Sequence, residues 1–277
     1  MNMPDMAENR SLPRSEGLDT ACVIELRRYR LRPGGREGLI DLFDREFVEA
    51  QEETGIHVLG QFRDLDDPDS FVWLRGFGDI NVRERTLRDF YSGPVWAKHC
   101  DAANGAMVNS DNVLLLRPVA PFDPQWVTDT ARPPRDAKGS RPGLVVVTVA
   151  HLAPRTEDAF ANFFGRKVSP ILNHTGAVVL GTFVVERSEN TFPNLPVREG
   201  ETLFIWFSLF RDEVAHDAHV GALAALREWK EHLLPEMDAR VWRPNEVCRL
   251  APTARSLLHG ENLISLSYRT PRQGSQR

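Results

Sequence analysis

Three polar side chains alternate near the start of the chain, in the stretch ELRRYRL. Glu25, Arg27 and Tyr29 lie two residues apart, so in a strand all three point to one face of the sheet. A guanidinium can hold a carboxylate or a developing oxyanion, a carboxylate can orient it, and a phenol can donate a further hydrogen bond. We assign these roles to Arg27, Glu25 and Tyr29. The same residues allow an alternative, an ion pair across the barrel that only fixes how two sheets associate.

A second group of residues suited to chemistry follows in YSGPVWAKH. Trp96 and His99 lie three residues apart, on one face of a helix, and Tyr91 comes just before them. An imidazole titrates near neutral pH, so His99 is the candidate proton acceptor and donor beside an aromatic substrate. The same residue types recur as Trp229 and His232, which a duplicated packing motif would equally explain.

The candidate site thus contains two sets of side chains. The catalytic set is Glu25, Arg27 and His99. The substrate-binding set consists of aromatic and hydrogen-bonding side chains: Tyr29, His57, Trp73, Tyr91 and Trp96. His57 is the weakest member, because it falls on the opposite strand face from Ile56 and Val58.

The elements that would position these residues occur twice. TGIHVLGQF at 54–62 returns as TGAVVLGTF at 175–183, which is 121 positions later. After an insertion in SENTFPNLPVREGE the correspondence resumes, and FVW at 71–73 matches FIW at 204–206. Alternation, helical spacing and turn residues give each copy the order strand, helix, strand, strand, helix, strand. The sequence therefore predicts two copies of a βαββαβ unit.

Such a unit covers only one face of its antiparallel sheet with helices, so the other face needs a partner. We expect an α+β protein of two tandem ferredoxin-like domains whose sheets pack into an intramolecular, pseudo-dimeric α+β barrel. The predicted boundaries are a flexible leader at 1–20, a first domain at 21–119, a Pro-rich linker at 120–142, a second domain at 143–258 and a C-terminal tail at 259–277.

The opening of copy one resembles a known family. ELRRYRLRPG, followed by an amphipathic helix and TG-hydrophobic-LG-x-F, is similar to the NIPSNAP family, closely over copy one and more loosely over copy two. The resemblance implies a dimeric α+β barrel related in fold to antibiotic-biosynthesis monooxygenases. It implies little chemistry, because relatives of this fold include cofactor-free oxygenases, haem enzymes, isomerases, cyclases and proteins with no known reaction.

The two copies differ on their first strand. Copy two replaces the polar stripe by Val146, Thr148 and Ala150. We expect Ile24 and Leu26 to face the helices, so that the polar stripe of copy one lies opposite an apolar wall from copy two. A mostly apolar pocket with a few polar groups is typical of a small-molecule site.

Bulk composition disfavours several classes of partner. The net charge of −5 does not favour nucleic acid, and no apolar run approaches the roughly 20 residues of a membrane span. Three cysteines are too few for a disulfide framework, which suggests a cytoplasmic protein. The HxxH of His216 and His219 lacks a second such motif, and the acidic loop at 64–69 lacks the calcium-loop glycine, so no metal is predicted.

Together these observations predict an enzyme of the cofactor-independent monooxygenase or acid–base isomerase/cyclase type. Its substrate would be an apolar or aromatic metabolite of bacterial specialised metabolism. We predict no cofactor; a haem enzyme with His99 or His232 as axial ligand is one alternative. A non-catalytic ligand-binding or interaction protein is the other. The expected partner is a small molecule, with no nucleic acid and no membrane, and a further homodimer through the helical faces stays open.

Overall fold

Eight strands close into one barrel. The structure, a computed structural model, describes residues 23–119 and 131–261. Around the barrel the strand order is β1, β3, β2, β8, β5, β7, β6 and β4, with β4 again beside β1, and all neighbours are antiparallel. The strands are β1 (Val23–Leu31), β2 (His57–Asp64), β3 (Ser70–Phe77), β4 (Met107–Pro118), β5 (Leu144–Leu152), β6 (Val178–Val185), β7 (Leu203–Phe210) and β8 (Val241–Pro252).

Helices cover the outside of the barrel. Helix α1 has three consecutive segments, Arg36–Leu42, the π-helical Phe43–Phe47 and Val48–Glu52. It is followed by α2 (Ile80–Tyr91) and α3 (Pro94–Ala106). Helix α4 has the segments Glu157–Phe163, the π-helical Phe164–Val168 and Ser169–His174; then come α5 (Glu213–Ala225) and α6, which joins the π-helical Trp229–Leu233 to Leu234–Asp238.

The strands form two arcs of four. Residues 23–119, here called the first half, give the order β4-β1-β3-β2, and residues 131–261, the second half, give β8-β5-β7-β6. The arcs meet at two seams, where Phe62 pairs with Pro252 and Leu116 pairs with Val185. The predicted mixed α+β class with a barrel is therefore confirmed.

The interior of the barrel is apolar. One buried cluster takes side chains from all eight strands, including Ile24 and Leu26 from β1. Since neighbours along a strand alternate, Glu25, Arg27 and Tyr29 point outwards, to the helices. The prediction that Ile24 and Leu26 face the helices is wrong. The side chains of this interior cluster are apolar, whereas β3 and the helix layer supply charged partners such as Arg75 and Arg83.

Both helix layers contain a π-helical turn at the same place. In α1 the turn begins at Phe43, whose ring lies 4.7 Å from that of Trp73 on β3. In α4 it begins at Phe164, whose ring lies 4.9 Å from that of Trp206 on β7. A π-helical turn shifts the side chains that follow it around the helix axis. In α1 the segments on both sides of the turn bury apolar residues, Leu39 and Ile40 before it and Val48 after it.

Chain segments outside the arcs pack on the first half. Arg132, within the predicted linker, donates to the Val58 carbonyl at 2.7 Å and pairs with Glu52 at 2.5 Å. Arg255, beyond β8, donates to the Pro133 carbonyl at 2.9 Å and pairs with Glu49. The predicted leader 1–20, residues 120–130 of the linker and residues 262–277 of the tail lie outside the described residues. In the parts of the chain that the structure describes, no helix is long and apolar enough to cross a bilayer.

Asp44, in the π-helical turn of α1, makes stability depend on pH. Its side chain is buried and accepts a hydrogen bond from Gln61 at 3.1 Å. Burial raises the pKa of Asp44 to about 6, although the charge of Arg255 opposes the rise. A carboxyl whose pKa is raised on folding destabilises the folded protein when it is ionised. This cost sets in as the pH rises above the unfolded pKa of about 4, and it is complete at pH values above the folded pKa.

We expect Asp44→Asn to increase the free energy of unfolding at pH 7.5 by on the order of 2 kcal/mol. At pH 4 the gain should be less than half as large, because the folded wild-type protein then holds a neutral Asp44. Urea unfolding at both pH values measures the difference. Asp41→Asn, on the exposed side of the same helix, is the control and should change little. Equal destabilisation by Asp44→Asn at both pH values would contradict this account.

Candidate functional site

The polar face of β1 lies between β3 and the helices of the first half. In the β1–β3 register Glu25 pairs with Arg75, and Arg27 pairs with Trp73. Helix α2, which starts after its Asp79 cap, brings Arg83 over the same face. The local sequence explains this layer, because the odd-numbered residues of both strands point outwards and carry its charges and rings.

The carboxylate of Glu25 binds three guanidinium groups. Arg27 Nη1 and Arg75 Nε donate to Oε2 at 2.8 and 2.6 Å, and Arg83 Nε donates to Oε1 at 2.5 Å. None of the four side chains is more than 1% exposed. Burial would raise the pKa of Glu25, but Arg75, Arg27 and Arg83 outweigh it and hold the pKa far below its usual range. Glu25 is therefore ionised. The alternative prediction of an ion pair between Glu25 and Arg27 agrees with the structure, but the pair does not cross the barrel, since the described partners of Glu25 belong to the first half.

This buried group carries two positive charges in excess. Arg75 and Arg83 each donate from Nε to Glu25. Nη1 of Arg75 donates to the amide oxygen of Gln51 at 3.0 Å, and Nη1 of Arg83 donates to the amide oxygen of Asn190 at 3.0 Å. The Nη2 atoms of both arginines are buried, and no described residue accepts a hydrogen bond from either. Trp73 Nε1 is also buried without an acceptor among those residues. Buried donors and charges without partners are costly, so this layer is suited to holding an anion.

Tyr29 adds a neutral hydroxyl to the cluster. Its Oη accepts a hydrogen bond from Arg27 Nε at 2.8 Å. Burial raises the pKa of Tyr29, and the charge of Arg27 only partly offsets this, so the phenol keeps its proton. A phenol that accepts one hydrogen bond still has its own proton to donate. The predicted role of Tyr29 as a hydrogen-bond donor is compatible with this geometry.

Aromatic rings form the walls of the layer. Trp73 lies under two guanidiniums, with Arg75 Cζ 4.9 Å and Arg27 Cζ 5.6 Å from its ring centroid. Tyr91 contacts Trp96 edge-on, with ring centroids 4.8 Å apart. Such contacts hold cations against ring faces and order the side chains. The predicted residues Tyr29, Trp73, Tyr91 and Trp96 thus all belong to the helix layer of the first half.

A loop from the second half covers this layer. The β6–β7 connection places Phe192 on Tyr91, with centroids 5.8 Å apart and rings nearly parallel. Asn190 accepts from Arg83 Nη1, and the Thr191 hydroxyl donates to the Ile80 carbonyl at 3.3 Å. The β6–β7 loop of the second half therefore covers the polar layer of the first half.

Sequence reasoning missed four residues of this site: Arg75, Arg83, Asn190 and Phe192. A signal existed for Arg75, because it alternates with Trp73 and Phe77 on β3 and would fall on the same face. Arg83 offered no comparable signal in a sequence rich in arginine. Asn190 and Phe192 act across the two halves, which local patterns do not report.

The histidines of the predicted site lie apart from the cluster. His99 Nε2 is 3.7 Å from Glu46 Oε2, and its ring packs edge-on against Phe47 at 6.3 Å. In the described part of the chain, no hydrogen bond or ring contact joins His99 to Glu25 or Arg27. His57 is half-buried, its strand partner is Gly76, and burial lowers its pKa. The structure thus brings Glu25, Arg27 and Tyr29 together but does not add either histidine to them.

The second half has no such cluster in its described residues. In the matching register Val146 pairs with Ser208, where Glu25 pairs with Arg75. His216 stands at the place of Arg83, the fourth residue after the helix cap, and packs on Phe210. The charged layer is therefore a property of the first half.

The two histidines named as alternative haem ligands lie in different surroundings. His99 directs Nε2 towards Glu46, and the nearby rings of Phe47, Phe90 and Trp96 pack against one another at 5.6 to 6.0 Å. His232 is exposed on α6. Within 23–119 and 131–261, no three histidine, cysteine, aspartate or glutamate side chains are grouped to hold a metal ion. The HxxH pair instead packs around Phe210, and His219 also bonds Thr175 at 2.8 Å.

Solved structures of similar shape support the fold. An anthrone oxidase-like protein aligns with a TM-score of 0.54 at 13% identity, over 88% of this chain and 98% of its own. A proposed monooxygenase from Lactobacillus acidophilus aligns with a TM-score of 0.51 at 11% identity, over 85% and 97%. At such identities the similarity shows the fold alone. No curated protein matches the chain.

Family comparison agrees with the resemblance seen in the opening strand. A NIPSNAP-like domain protein from Burkholderia xenovorans is 25% identical over 38% of this chain and 90% of its own, with a TM-score of 0.35. The NIPSNAP family model matches residues 24–121, the part of the chain that carries the buried arginine cluster. Residues 24–121 are therefore similar to a NIPSNAP domain.

Proposed function

We propose that the first half binds a small aromatic molecule in its anionic form, between the sheet and the helices. The observation that carries this proposal is the pair of buried Nη2 atoms on Arg75 and Arg83 that have no partner among the described residues. A carboxylate or enolate oxygen placed there would accept both hydrogen bonds and neutralise part of the excess charge. Trp73 and Tyr91 would then flank its ring.

The second half serves this site as scaffold and cover. We infer that the chain is a duplicated NIPSNAP-type unit in which two ferredoxin-like halves take the place of a homodimer. Asn190 and Phe192 cover the arginine layer, so a ligand enters when the β6–β7 loop moves aside.

The chemistry that suits this site needs no cofactor. Two excess positive charges lower the pKa of an acidic C–H group in a bound aromatic ketone, so its enolate forms and water takes the proton. The enolate can pass electrons directly to O2. The CH2 group becomes C=O with one oxygen atom, the other leaves as water, and all four electrons come from the substrate. Tyr29 would donate a hydrogen bond to the developing oxyanion, and an acid–base isomerisation through the same enolate is the alternative without O2.

Binding tests the proposal before any substrate is known. Calorimetric titration should show one 2-naphthoate per chain, with the neutral 2-naphthamide at least about tenfold weaker. Arg83→Gln should weaken naphthoate roughly 10- to 100-fold, the effect of losing a charged hydrogen bond. Its fold should survive, because Glu25 keeps Arg27 and Arg75.

Arg88→Gln is the matched control for that variant. Arg88 lies on the same helix, is 68% exposed and pairs only with Glu84 among described residues. It should bind naphthoate like the wild type. Equal affinity for naphthoate and naphthamide, or equal loss in both variants, would overturn the proposal.

A reaction assay separates Tyr29 from His99. With anthrone as probe, we expect oxygen uptake that falls about tenfold or more in Tyr29→Phe, because the lost hydroxyl contacts Arg27. His99→Gln should stay within about twofold, because its contacts are Glu46 and Phe47. An oxygen electrode measures both.

The opposite pattern, a large loss in His99→Gln with Tyr29→Phe unaffected, would assign proton transfer to His99 as the sequence predicted. Naphthoate binding without oxygen uptake or an isomerised product would support the non-catalytic ligand-binding alternative.

A further inference from the structure

A separate cleft lies at one rim of the barrel, on the second half. Its volume is about 380 Å³, and it opens where β5 ends and where β7 and β8 begin. The cleft is lined by the end of β5 with the residues after it, the end of the β6–β7 loop and the starts of β7 and β8. Its lining includes His151, Leu152, Pro154, Glu201, Leu203 and Trp242. None of these residues belongs to the arginine cluster of the first half.

The buried imidazole of His151 has one nitrogen in use and one free. Its side chain is 1% exposed, and Nε2 lies 2.9 Å from Glu246 Oε1. Arg198 and Arg28 hold the pKa of Glu246 below its usual range despite burial, so this carboxylate can only accept. Arg243 Nη2, which can only donate, lies 3.0 Å from the same nitrogen. The contact with Glu246 is the shorter of the two, so we place the hydrogen on Nε2. Burial and Arg243 lower the pKa of His151, which keeps the ring neutral and leaves Nδ1 as an acceptor.

The second ring nitrogen of His151 lies beside the wall of the cleft. Nδ1 of His151 is buried and makes no hydrogen bond to any described residue. Glu201 Oε2 lies 3.8 Å away, and both His151 and Glu201 line the cleft while Glu246 does not. Glu201 is already bound by Arg198 through two bonds, of 2.7 and 2.8 Å. His151 Nδ1 is thus an unpartnered acceptor at the base of a mostly apolar cleft.

The rim of the cleft carries an exposed ring. Trp242 is 66% exposed although it is a large aromatic, and it contacts His151 edge-on with centroids 6.0 Å apart. Leu152, Pro154 and Leu203 add apolar wall. A tryptophan that a compact protein leaves so exposed beside a cleft is well placed to stack on a ligand.

Charge selects between possible ligands. The ion-pair network behind His151 contains Arg28, Arg198 and Arg243 against Glu201 and Glu246. Its positive charges exceed its negative ones by one, which disfavours an ammonium group. An anion would face the lone pair of Nδ1 and the carboxylate of Glu201. A neutral hydroxyl that donates its hydrogen meets neither obstacle.

We propose that this cleft is a second ligand site, for a neutral aromatic molecule with a hydroxyl group, of the phenol type. The ring packs on Trp242 and the apolar wall, and the hydroxyl donates to His151 Nδ1. This site does not depend on the function proposed for the first half.

The test is an NMR titration of the full chain that follows the indole N–H signal of Trp242. The loss of this signal in Trp242→Phe assigns it. Phenol should shift this signal with a saturating curve. Anisole, which replaces the hydroxyl hydrogen by a methyl group, should bind at least about tenfold more weakly because it leaves Nδ1 unpaired. Trp242→Ala, followed by the shifts of neighbouring backbone amides, should weaken phenol binding by a similar factor.

Two controls keep the result specific. Val247→Ala, at another exposed position of β8, should bind phenol like the wild type. Arg83→Gln should also leave the Trp242 response unchanged, which separates this site from the first. Phenol and anisole binding within twofold of each other, a shift that does not saturate, or phenol binding that survives Trp242→Ala would overturn the proposal.

Discussion

The arrangement of the first half depends on one buried carboxylate. Glu25 is bound by guanidiniums from its own strand, from β3 and from α2, and it is the only acid that the described contacts give these three arginines. Removing one partner of a buried ion pair typically costs about 3–5 kcal/mol, because the remaining charge has no counterpart. Without Glu25, three cations would be left buried together. The carboxylate therefore fixes where α2 lies on the sheet and how the guanidiniums are presented.

The same interaction leaves the cluster incomplete. One carboxylate cannot satisfy three guanidiniums, and the remaining partners, Gln51, Asn190 and Tyr29, are neutral. The second half carries apolar or small side chains at the matching strand positions and contributes a covering loop instead. One half thus holds the charges and the other encloses them, which is the asymmetry that the proposed anion site requires.

The residue pattern predicted the helices and strands, but not which face of each strand meets the helices and which meets the barrel interior. Alternation in β1 correctly separated Glu25, Arg27 and Tyr29 from Ile24 and Leu26. Both faces of this strand are buried, so polarity alone does not say which one meets the helices. Pairing with β3 shows which face meets the helices, because the register places Glu25 beside Arg75 in the outer layer. His99 shows the same limit: helical spacing placed it near Trp96, but only the tertiary packing shows that it turns to Glu46.

A crystal structure of the full chain with 2-naphthoate would show directly whether the buried arginines hold an anion. We expect its carboxylate within about 3 Å of the Nη2 atoms of both Arg75 and Arg83, with the rings between Trp73 and Tyr91. Ordered waters on those two Nη2 atoms, with naphthoate bound elsewhere or not at all, would contradict it.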